Sequence, residues 1–376
     1  MAHNIEELDN VMLGSNTPAW HDLGTVVAGQ PNSAEALKLA GLDWNTTLEP
    51  LTLPDGQGGM IEIPNAFATI RDDLPRTDTR RVLGTVTSRY EPISNVEAFS
   101  IVDEFAGEGG ARYETAGSLR NGRIAWMMAA MPNTTTVVDD TLKQYLLLST
   151  SHDGTRSVQI NFTPVRVVCW NTLSLAVNTA QRSAFIRHTK NKSDQIVEAK
   201  RILGLAGEYF ENHGQTMTRL AKSSIDDRFA AAFVMTMFPD PEPGQRWSLA
   251  DKKRSRVLQL YKGEQAGADQ QATKGTAYGL YNALAEYADH EKTVMAMGGR
   301  TRSDARMDSV MFGSSATLKQ QAAGLLTRVL ELEKEPDQEP AARSDVEALL
   351  SQFQLEDDGR KASIDALLDS IDFDSN

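Results

Sequence analysis

The sequence predicts an α+β protein, with an antiparallel β-meander and packed helices followed by a mostly helical C-terminal third and a flexible acidic tail. Apolar and polar residues alternate between turn residues over 59–168, which indicates strands. Helical periodicity dominates from 193 onward, and no strand–helix–strand alternation indicates a parallel sheet. We therefore expect an α+β core domain at 1–190, a helical region at 191–334 and an acidic, disordered tail at 335–376.

Capping residues predict the first two helices. Ser33 is expected to cap a short helix that ends at Gly41, because a serine oxygen accepts from the first free amides and glycine tolerates a left-handed cap. Ser94 or Asn95 is expected to begin a second, amphipathic helix.

Turn chemistry predicts the hairpins of the meander. Asn121-Gly122 indicates a type I′ turn, which requires positive φ at both central residues. A second connection is expected at His152-Asp153-Gly154, where the Asp153 carboxylate would accept hydrogen bonds from its own backbone. The segment 59–168 therefore predicts two strands, a helix and about four further strands.

Beyond Arg166 the pattern is typical of helices. The Pro-rich stretch FPDPEPGQRW interrupts them, and the polar stretch MGGRTRSDARMDS precedes the last one. The expected helical segments are 169–180, 193–220, 225–238, 248–261, 275–290 and 316–335.

Composition indicates a soluble intracellular protein. A single cysteine excludes a disulfide framework and a Cys-based zinc site. The N-terminus shows no basic region followed by an apolar run, and no stretch of eighteen apolar residues predicts a membrane span. The net charge is −13, of which residues 331–376 contribute −10, so the body of the chain is nearly neutral.

A basic segment interrupts this acidic chain between Arg156 and Arg201. It contains eight Lys or Arg residues and only two acidic residues. Such a segment indicates an anionic partner, although a solvated charged face is the ordinary alternative. Aromatic residues lie near it, and we expect Trp170 or Phe162 to stack on bases while the cations contact phosphates. The hairpin arm SLRNGRIAW adds two arginines. The expected DNA-binding residues are Arg120, Arg123, Arg156, Arg166, Trp170, Arg182, Arg187, His188, Lys190 and Lys192.

Enzyme signatures are absent from the sequence, and we expect no catalytic residue, metal or cofactor. Cys169 with His152 and Asn171 could form a cysteine nucleophile, but Cys169 lies in an apolar run that is typical of an inert buried thiol. His152-Asp153 could ligate a metal, but a second His–acid pair with suitable spacing is missing.

The acidic tail ends LLDSIDFDSN. An ordinary solubilising tail is the simplest interpretation. The alternative is an interaction peptide for a protein partner, or an acidic mimic that competes with nucleic acid for the basic surface.

Eight short stretches of the chain form a recognisable series: WHDLGTVV, AGLDW, LGTVTSRYEPISNVEAF, YETAGSLRNGR, SHDGTRSV, PVRVVCWNTL, IRHT and YNALAEYADH. Together they resemble the phage/plasmid-like protein family, a domain of unknown function found in actinophages, prophages and plasmids. The resemblance runs from about residue 13 to 330 with the order preserved, and it implies a mobile-element protein in a bacterial cytoplasm.

The order RYEPISN, helix, YETAGSL and GRIAWMMAAM is also similar to the core of phage single-strand annealing proteins. This analogy predicts a non-enzymatic protein that binds single-stranded DNA in replication or recombination and works as a homo-oligomer through its helical third. The alternatives are a protein-interaction or counter-defence module that binds a host protein, a hydrolase or nuclease with an unfamiliar site, and a structural virion component.

Overall fold

The computed structural model describes residues 11–13, 25–27, 32–101, 103, 111–168, 171–173, 183–189, 197, 201, 204–240, 247–297, 301–330 and 366–367. These residues form two β-sheets and a set of helices, which confirms the α+β class. The strands are β1 (Val11–Leu13), β2 (Thr25–Val27), β3 (Thr46–Pro54), β4 (Met60–Arg71), β5 (Val82–Val86), β6 (Arg112–Leu119), β7 (Ile124–Val137), β8 (Asp140–Ser151), β9 (Val158–Arg166) and β10 (Ser183–Ile186).

The helices are α1 (Ser33–Leu39), α2 (Asn95–Ser100), α3 (Ala206–Lys222), α4 (Asp227–Met237), α5 (Trp247–Gln259), α6 (Ala277–Glu286), α7 (Arg302–Met311) and α8 (Ser314–Val329). Short π-helical turns continue α5 at Leu260–Glu264 and α6 at Tyr287–Glu291. None of the described helices has the length and apolar character needed to span a lipid bilayer.

The larger sheet has seven strands in the order β10-β9-β8-β7-β6-β1-β2. Strands β6 to β10 pair antiparallel, as the meander prediction requires, and β1 with β2 is a parallel pair. The smaller sheet has the order β3-β4-β5 and is antiparallel throughout.

Helices cover both faces of the larger sheet, and this explains the continuous apolar runs IAWMMAA and YLLL in its central strands. One face packs Met127 and Leu146 against α1, α2 and α3. The opposite face packs Trp126 and Leu147 against Met307 of α7. A strand that is buried on both faces loses the apolar–polar alternation of a half-exposed strand.

The helical part has its own apolar cluster, which reaches the meander through Val137 and Leu142. α6 lies at its centre, and nine of its ten residues are buried. Leu367, in the acidic tail, is also a member of this cluster. The remaining tail residues that are expected to be flexible, 335–365 and 368–376, lie outside the described residues.

The N-cap of α2 is the residue that the sequence predicts, whereas the N-cap of α1 lies one residue earlier than predicted. Ser94 caps α2 by accepting from the Glu97 amide at 3.1 Å. α1 is capped by Asn32 rather than by Ser33, because the Asn32 side chain and Glu35 form a reciprocal capping box. Gly41 follows this helix with φ of +66°, as expected for a glycine that ends a helix.

Three segments differ from the sequence prediction. Residues 171–173 are extended rather than helical, because Thr172 forms a β-bridge with Val165. β10 was not expected, since a strand of four residues carries little periodicity. The polar stretch before the last helix contains α7, which is amphipathic and whose Thr301 cap accepts from the Asp304 amide.

Candidate functional site

The hairpin between β6 and β7 carries two of the arginines expected to bind DNA. Asn121 and Gly122 have φ of +57° and +88°, and the Arg123 amide donates to the Arg120 carbonyl at 3.4 Å. This is the type I′ geometry that Asn-Gly predicts. Arg123 is exposed at the turn, whereas the Arg120 side chain folds back towards α7.

Asp308 of α7 binds both Arg120 and Arg156. Its two carboxylate oxygens accept from the guanidinium groups at 2.7 Å each, and the guanidinium of Arg156 also lies 4.6 Å from the Phe312 ring centre. Asp153 lies 3.9 Å from Arg120 as a second carboxylate. Arg120 and Arg156 are therefore not free cations on the surface, because Asp308 of α7 and Asp153 of the turn after β8 neutralise their charges.

Arg166 lies in the interior. Its guanidinium pairs with Asp140, and the side chains of both residues are completely buried. The remaining N–H groups donate to the Ala266 carbonyl at 2.8 Å and to Gln270 Oε1 at 2.5 Å. This placement contradicts the expected phosphate contact, because a buried guanidinium with these partners cannot reach a nucleic acid.

Phe162 is also an interior residue. Its ring packs against Tyr209 and Phe210 of α3, with centroid separations of 5.1 and 5.8 Å. Only 5% of the residue is exposed, so the expectation that Phe162 stacks on a base is wrong.

The His152-Asp153-Gly154 turn is structural. Thr155 donates its amide to Asp153 Oδ1 at 3.0 Å, which is the expected local bond. His152 is buried, and its ring nitrogens lie 2.8 Å from Asn95 Oδ1 and 3.2 Å from Thr46 Oγ1. Burial, with a smaller contribution from His188, lowers the pKa of His152 to about 3, so its ring is neutral at physiological pH.

His188 is buried rather than exposed, which contradicts its expected contact with DNA. Its ring stacks on Tyr90 with a centroid separation of 4.7 Å and an interplanar angle of 11°. The Glu91 amide donates to the His188 carbonyl at 2.9 Å. This contact joins the IRHT stretch to the RYEPISN stretch, and His188 contributes to packing there.

The edge strand β10 carries the exposed part of the basic segment. Phe185 is 40% exposed and Arg187 is exposed, whereas Ile186 between them is buried. Phe185 within β10 and Arg187 directly after it are therefore both accessible to solvent. Trp170, Arg182, Lys190 and Lys192 lie outside the described residues, as does Cys169.

A buried polar cluster was missed by the sequence prediction. Lys319 of α8 donates to Asp289 Oδ1 at 2.6 Å and to Thr172 Oγ1, while the Thr172 amide donates to Asp289 Oδ2 at 2.9 Å. Next to it, Asn171 Oδ1 lies 2.9 Å from His290 Nε2. The signal was present in the CWNTL and YNALAEYADH stretches, which supply four of these five residues.

This cluster holds the extended segment 171–173 against α8 and the π-helical turn. Burial lowers the pKa of Lys319, and Asp289 opposes that change. Thr172 also lines a partly enclosed cavity of about 60 Å³ together with Leu147, Phe162 and Val310.

The structure separates the His152 and Asn171 side chains that the sequence offered as partners of a cysteine nucleophile, and it bears on metal binding as well. Asn171 and His152 belong to separate hydrogen-bond networks, the first with His290 and the second with Asn95. Among the described residues, no group of three or more His, Cys, Asp or Glu side chains is placed to hold a metal ion.

A family model described as "Domain of unknown function (DUF932)" matches residues 82–311. This range includes β5 to β10 and extends to the end of α7. No curated protein and no solved structure matches the chain.

Proposed function

The chain belongs to the DUF932 family, an uncharacterised domain family, and we propose that it is a phage-encoded single-stranded DNA-binding and annealing protein that acts without catalysis in replication or recombination. The observation that carries this proposal is the exposure of Phe185 in the edge strand β10 and of Arg187, which directly follows that strand. It would work in the cytoplasm of a bacterial host.

An exposed aromatic ring beside a guanidinium group suits a single strand. Every base has a π-face that can stack on a phenyl ring, and the guanidinium can contact the adjacent phosphate. Both residues lie at the edge of the sheet, where the outer side of β10 has no strand partner among the described residues. A nucleic acid strand could therefore run along β10 without displacing any strand in the described part of the chain.

Further cations lie close to β10 in the sequence. Arg182 immediately precedes β10, and Lys190 and Lys192 follow it within six residues. Arg123 contributes an exposed charge at the β6–β7 turn. The proposed interface is therefore smaller than the sequence predicted, and it omits Arg120, Arg156, Arg166 and His188.

A titration of fluorescein-labelled oligothymidylate of about 30 nucleotides tests this proposal. The protein should bind more weakly as salt rises, and Arg187→Ala should reduce the slope of log K against log salt by about 0.7, because one phosphate contact is lost. Phe185→Ala should cost about 1–3 kcal/mol of binding free energy, because one stacked base is lost. Lys38→Ala, which removes an exposed charge on α1, is the matched control.

Two results would contradict the proposal. One is no binding of single or double strands at low salt by the protein from which 335–376 has been deleted. The other is equal affinity of Phe185→Ala, Arg187→Ala and Lys38→Ala. An annealing assay with complementary strands then separates strand annealing from simple binding.

A protein-interaction or counter-defence module is the second candidate, and an exposed apolar patch on the β3–β4 hairpin favours it. Leu53, Met60 and Ile61 are each about 60% exposed, and Leu53 is the cross-strand partner of Ile61. Apolar side chains grouped at an exposed hairpin end are typical of protein contacts. Ile61→Lys should then abolish a stoichiometric host complex that persists after nuclease treatment.

The DNA-annealing proposal also includes self-association of the protein. Annealing proteins of this kind would act as homo-oligomers, with the helical part supplying subunit contacts and the acidic tail reserved for a protein partner or for competition with DNA. Light scattering with and without oligonucleotide tests the oligomer directly. A monomer at all concentrations, with and without DNA, would contradict it.

A further inference from the structure

The partly enclosed cavity beside Thr172 lies on the face of the larger sheet that α7 covers. Its walls come from β8 and β9, from the extended segment 171–173, from the last two residues of α7 and from the first two turns of α8. Leu147 of β8 and Val310 of α7 line the cavity and also belong to one apolar cluster. The cavity therefore lies between the sheet and the helical part.

Strand pairing brings Phe185 of β10 close to this cavity. Leu147, Asn161 of β9 and Ser183 of β10 pair in one row across the sheet, and Asn161 lines the cavity. Residues i and i+2 of a strand share a face, so Phe185 follows Ser183 on the cavity side of the sheet. Ile186 is buried on the opposite face, as this alternation requires. Diagonal neighbours such as Asn161 and Phe185 lie about 7–8 Å apart.

The lining of the cavity is uncharged and partly polar. Among the described residues, no charged side chain lines it, and four lining residues carry hydrogen-bonding side chains: Asn161, Thr163, Thr172 and Gln320. An amide side chain offers a donor and an acceptor side by side, and the edge of an unstacked nucleobase presents donors and acceptors in the same way. A phosphate would meet no charged side chain in this lining, whereas a neutral base edge finds hydrogen-bond partners there.

The size of the cavity limits the ligand to part of one ring. Its volume is about 60 Å³, whereas a cavity of about 150 Å³ holds a whole benzene molecule. Met311 and Gln320 line the cavity and are only half-buried, so they form its solvent side. Both side chains are unbranched, and an unbranched side chain adapts its conformation readily. A single-ring pyrimidine therefore fits more easily than a two-ring purine.

We propose that this cavity binds the edge of one pyrimidine base from a single strand that runs along β10. Because that strand path is the DNA interface proposed above, the site rests on the proposed function and adds base recognition to it. Phe185 stacks on one base, and an adjacent base turns towards the sheet, where the amides of Asn161 and Gln320 contact its edge. Stacking tolerates any base, because every base has a π-face. The cavity is therefore the part of the interface that distinguishes pyrimidines from purines.

Titrations of the full-length protein with labelled oligothymidylate and oligodeoxyadenylate of equal length test this site. Wild-type protein should bind oligothymidylate more tightly. Gln320→Leu should weaken that binding by about fivefold, because one hydrogen-bonding amide is lost, and should leave oligodeoxyadenylate binding nearly unchanged. Differences in stacking within the two oligonucleotides also affect their affinities. Those differences are the same for every protein variant, so the change in the affinity ratio reports on the cavity alone.

Two further variants complete the comparison. Ala316→Leu fills the cavity without removing a polar group, and it should lower the affinity ratio as Gln320→Leu does. Gln215→Leu makes the same replacement at an exposed position of α3 and should leave the ratio unchanged. Urea midpoints equal to that of the wild type would show that each variant is folded, and either cavity variant alone suffices if the other is destabilised.

The outcomes separate this site from the proposed function. Strand binding with an unchanged affinity ratio in Gln320→Leu and Ala316→Leu would overturn the base site and leave the DNA interface in place. Equal affinity of the wild type for the two oligonucleotides would also overturn the base site alone. No binding of either oligonucleotide would overturn both proposals.

Discussion

Arg166 of β9 and Asp140 of β8 form an ion pair in which neither side chain has any solvent exposure. The Tyr278 hydroxyl of α6 also donates to Asp140 Oδ2 at 2.8 Å, and Arg166 binds the Ala266 carbonyl at 2.8 Å. This pair therefore joins the meander to the helical part. Because Arg166 is buried in this pair, it cannot belong to the expected DNA interface, although it lies within the basic segment.

Arg166→Ala should lower the free energy of unfolding by about 3–5 kcal/mol, because Asp140 would keep a buried charge without its partner. Urea denaturation measures this change. Lys38→Ala is the control, and we expect an effect within about 0.5 kcal/mol because Lys38 is an exposed residue of α1. Similar small effects for both variants would refute a structural role for Arg166.

The contact between Asp308 and Arg156 should appear as an energetic coupling. In a double-mutant cycle with Arg156→Ala and Asp308→Ala, we expect a coupling of about 0.5–2 kcal/mol in unfolding free energy, because the two side chains are in direct contact and only 21% and 13% exposed. Arg156→Ala should leave oligonucleotide affinity nearly unchanged, since its charge is already neutralised. Strictly additive single-mutant effects would argue against the contact.

Two buried histidines should make the protein sensitive to acid. Burial lowers the pKa of His213 to about 3, as it does for His152 with a smaller contribution from His188. Unfolded histidine has a pKa of about 6.5, so between about pH 6.5 and 3 the unfolded state binds more protons. Stability from each group is therefore complete above pH 6.5 and falls as the pH decreases towards 3.

His213→Leu isolates one of these groups. Between pH 6 and 5, the unfolding free energy of the variant should fall less steeply than that of the wild type, by up to about 1.4 kcal/mol per pH unit. Urea denaturation at three pH values gives both slopes. Parallel slopes would mean that His213 titrates alike in the folded and unfolded states.

Gly84 lies where β5 meets the turn after β8. A Cβ atom at this position would lie 2.5 Å from Asp153 Cα, which is closer than any real contact. Gly84→Ala should therefore lower the unfolding free energy by about 1–3 kcal/mol through forced backbone movement. Thermal or urea unfolding measures the loss.

Gly207→Ala provides the matched comparison. Its Cβ would meet nothing within 4 Å, and Gly207 lies in α3. Alanine should stabilise the protein there by up to about 1 kcal/mol, because it loses less conformational entropy than glycine in a helix. If Gly84→Ala were tolerated as well as Gly207→Ala, the close approach of β5 to Asp153 would be incorrect.

Interactions among near neighbours explain why much of the fold was predictable. Ser94 caps α2 three residues away, and the Asn121-Gly122 turn is closed by its own four residues. Periodicity identified the strands of the meander and α4 to α6, since each has a buried face or is buried all round. Family membership was also predictable, because it depends on the order of short stretches.

The candidate site was less predictable, because burial and contacts between distant positions decide which of its charged side chains are exposed. Arg120 meets Asp308 across 188 positions of the chain, and Lys319 meets Thr172 across 147. β10 has four residues, so pairing with β9 rather than local periodicity defines it.

The sequence by itself determined the α+β class, the main turns and caps, and the presence of a basic segment in an acidic chain. Only the tertiary structure decided which cations are exposed, because packing α7 on the sheet brings Asp308 to Arg120 and Arg156. Desolvation decided the rest. Arg166 lies in the interior, where Asp140, the Ala266 carbonyl and Gln270 replace water. His188 also lies in the interior, where its ring stacks on Tyr90.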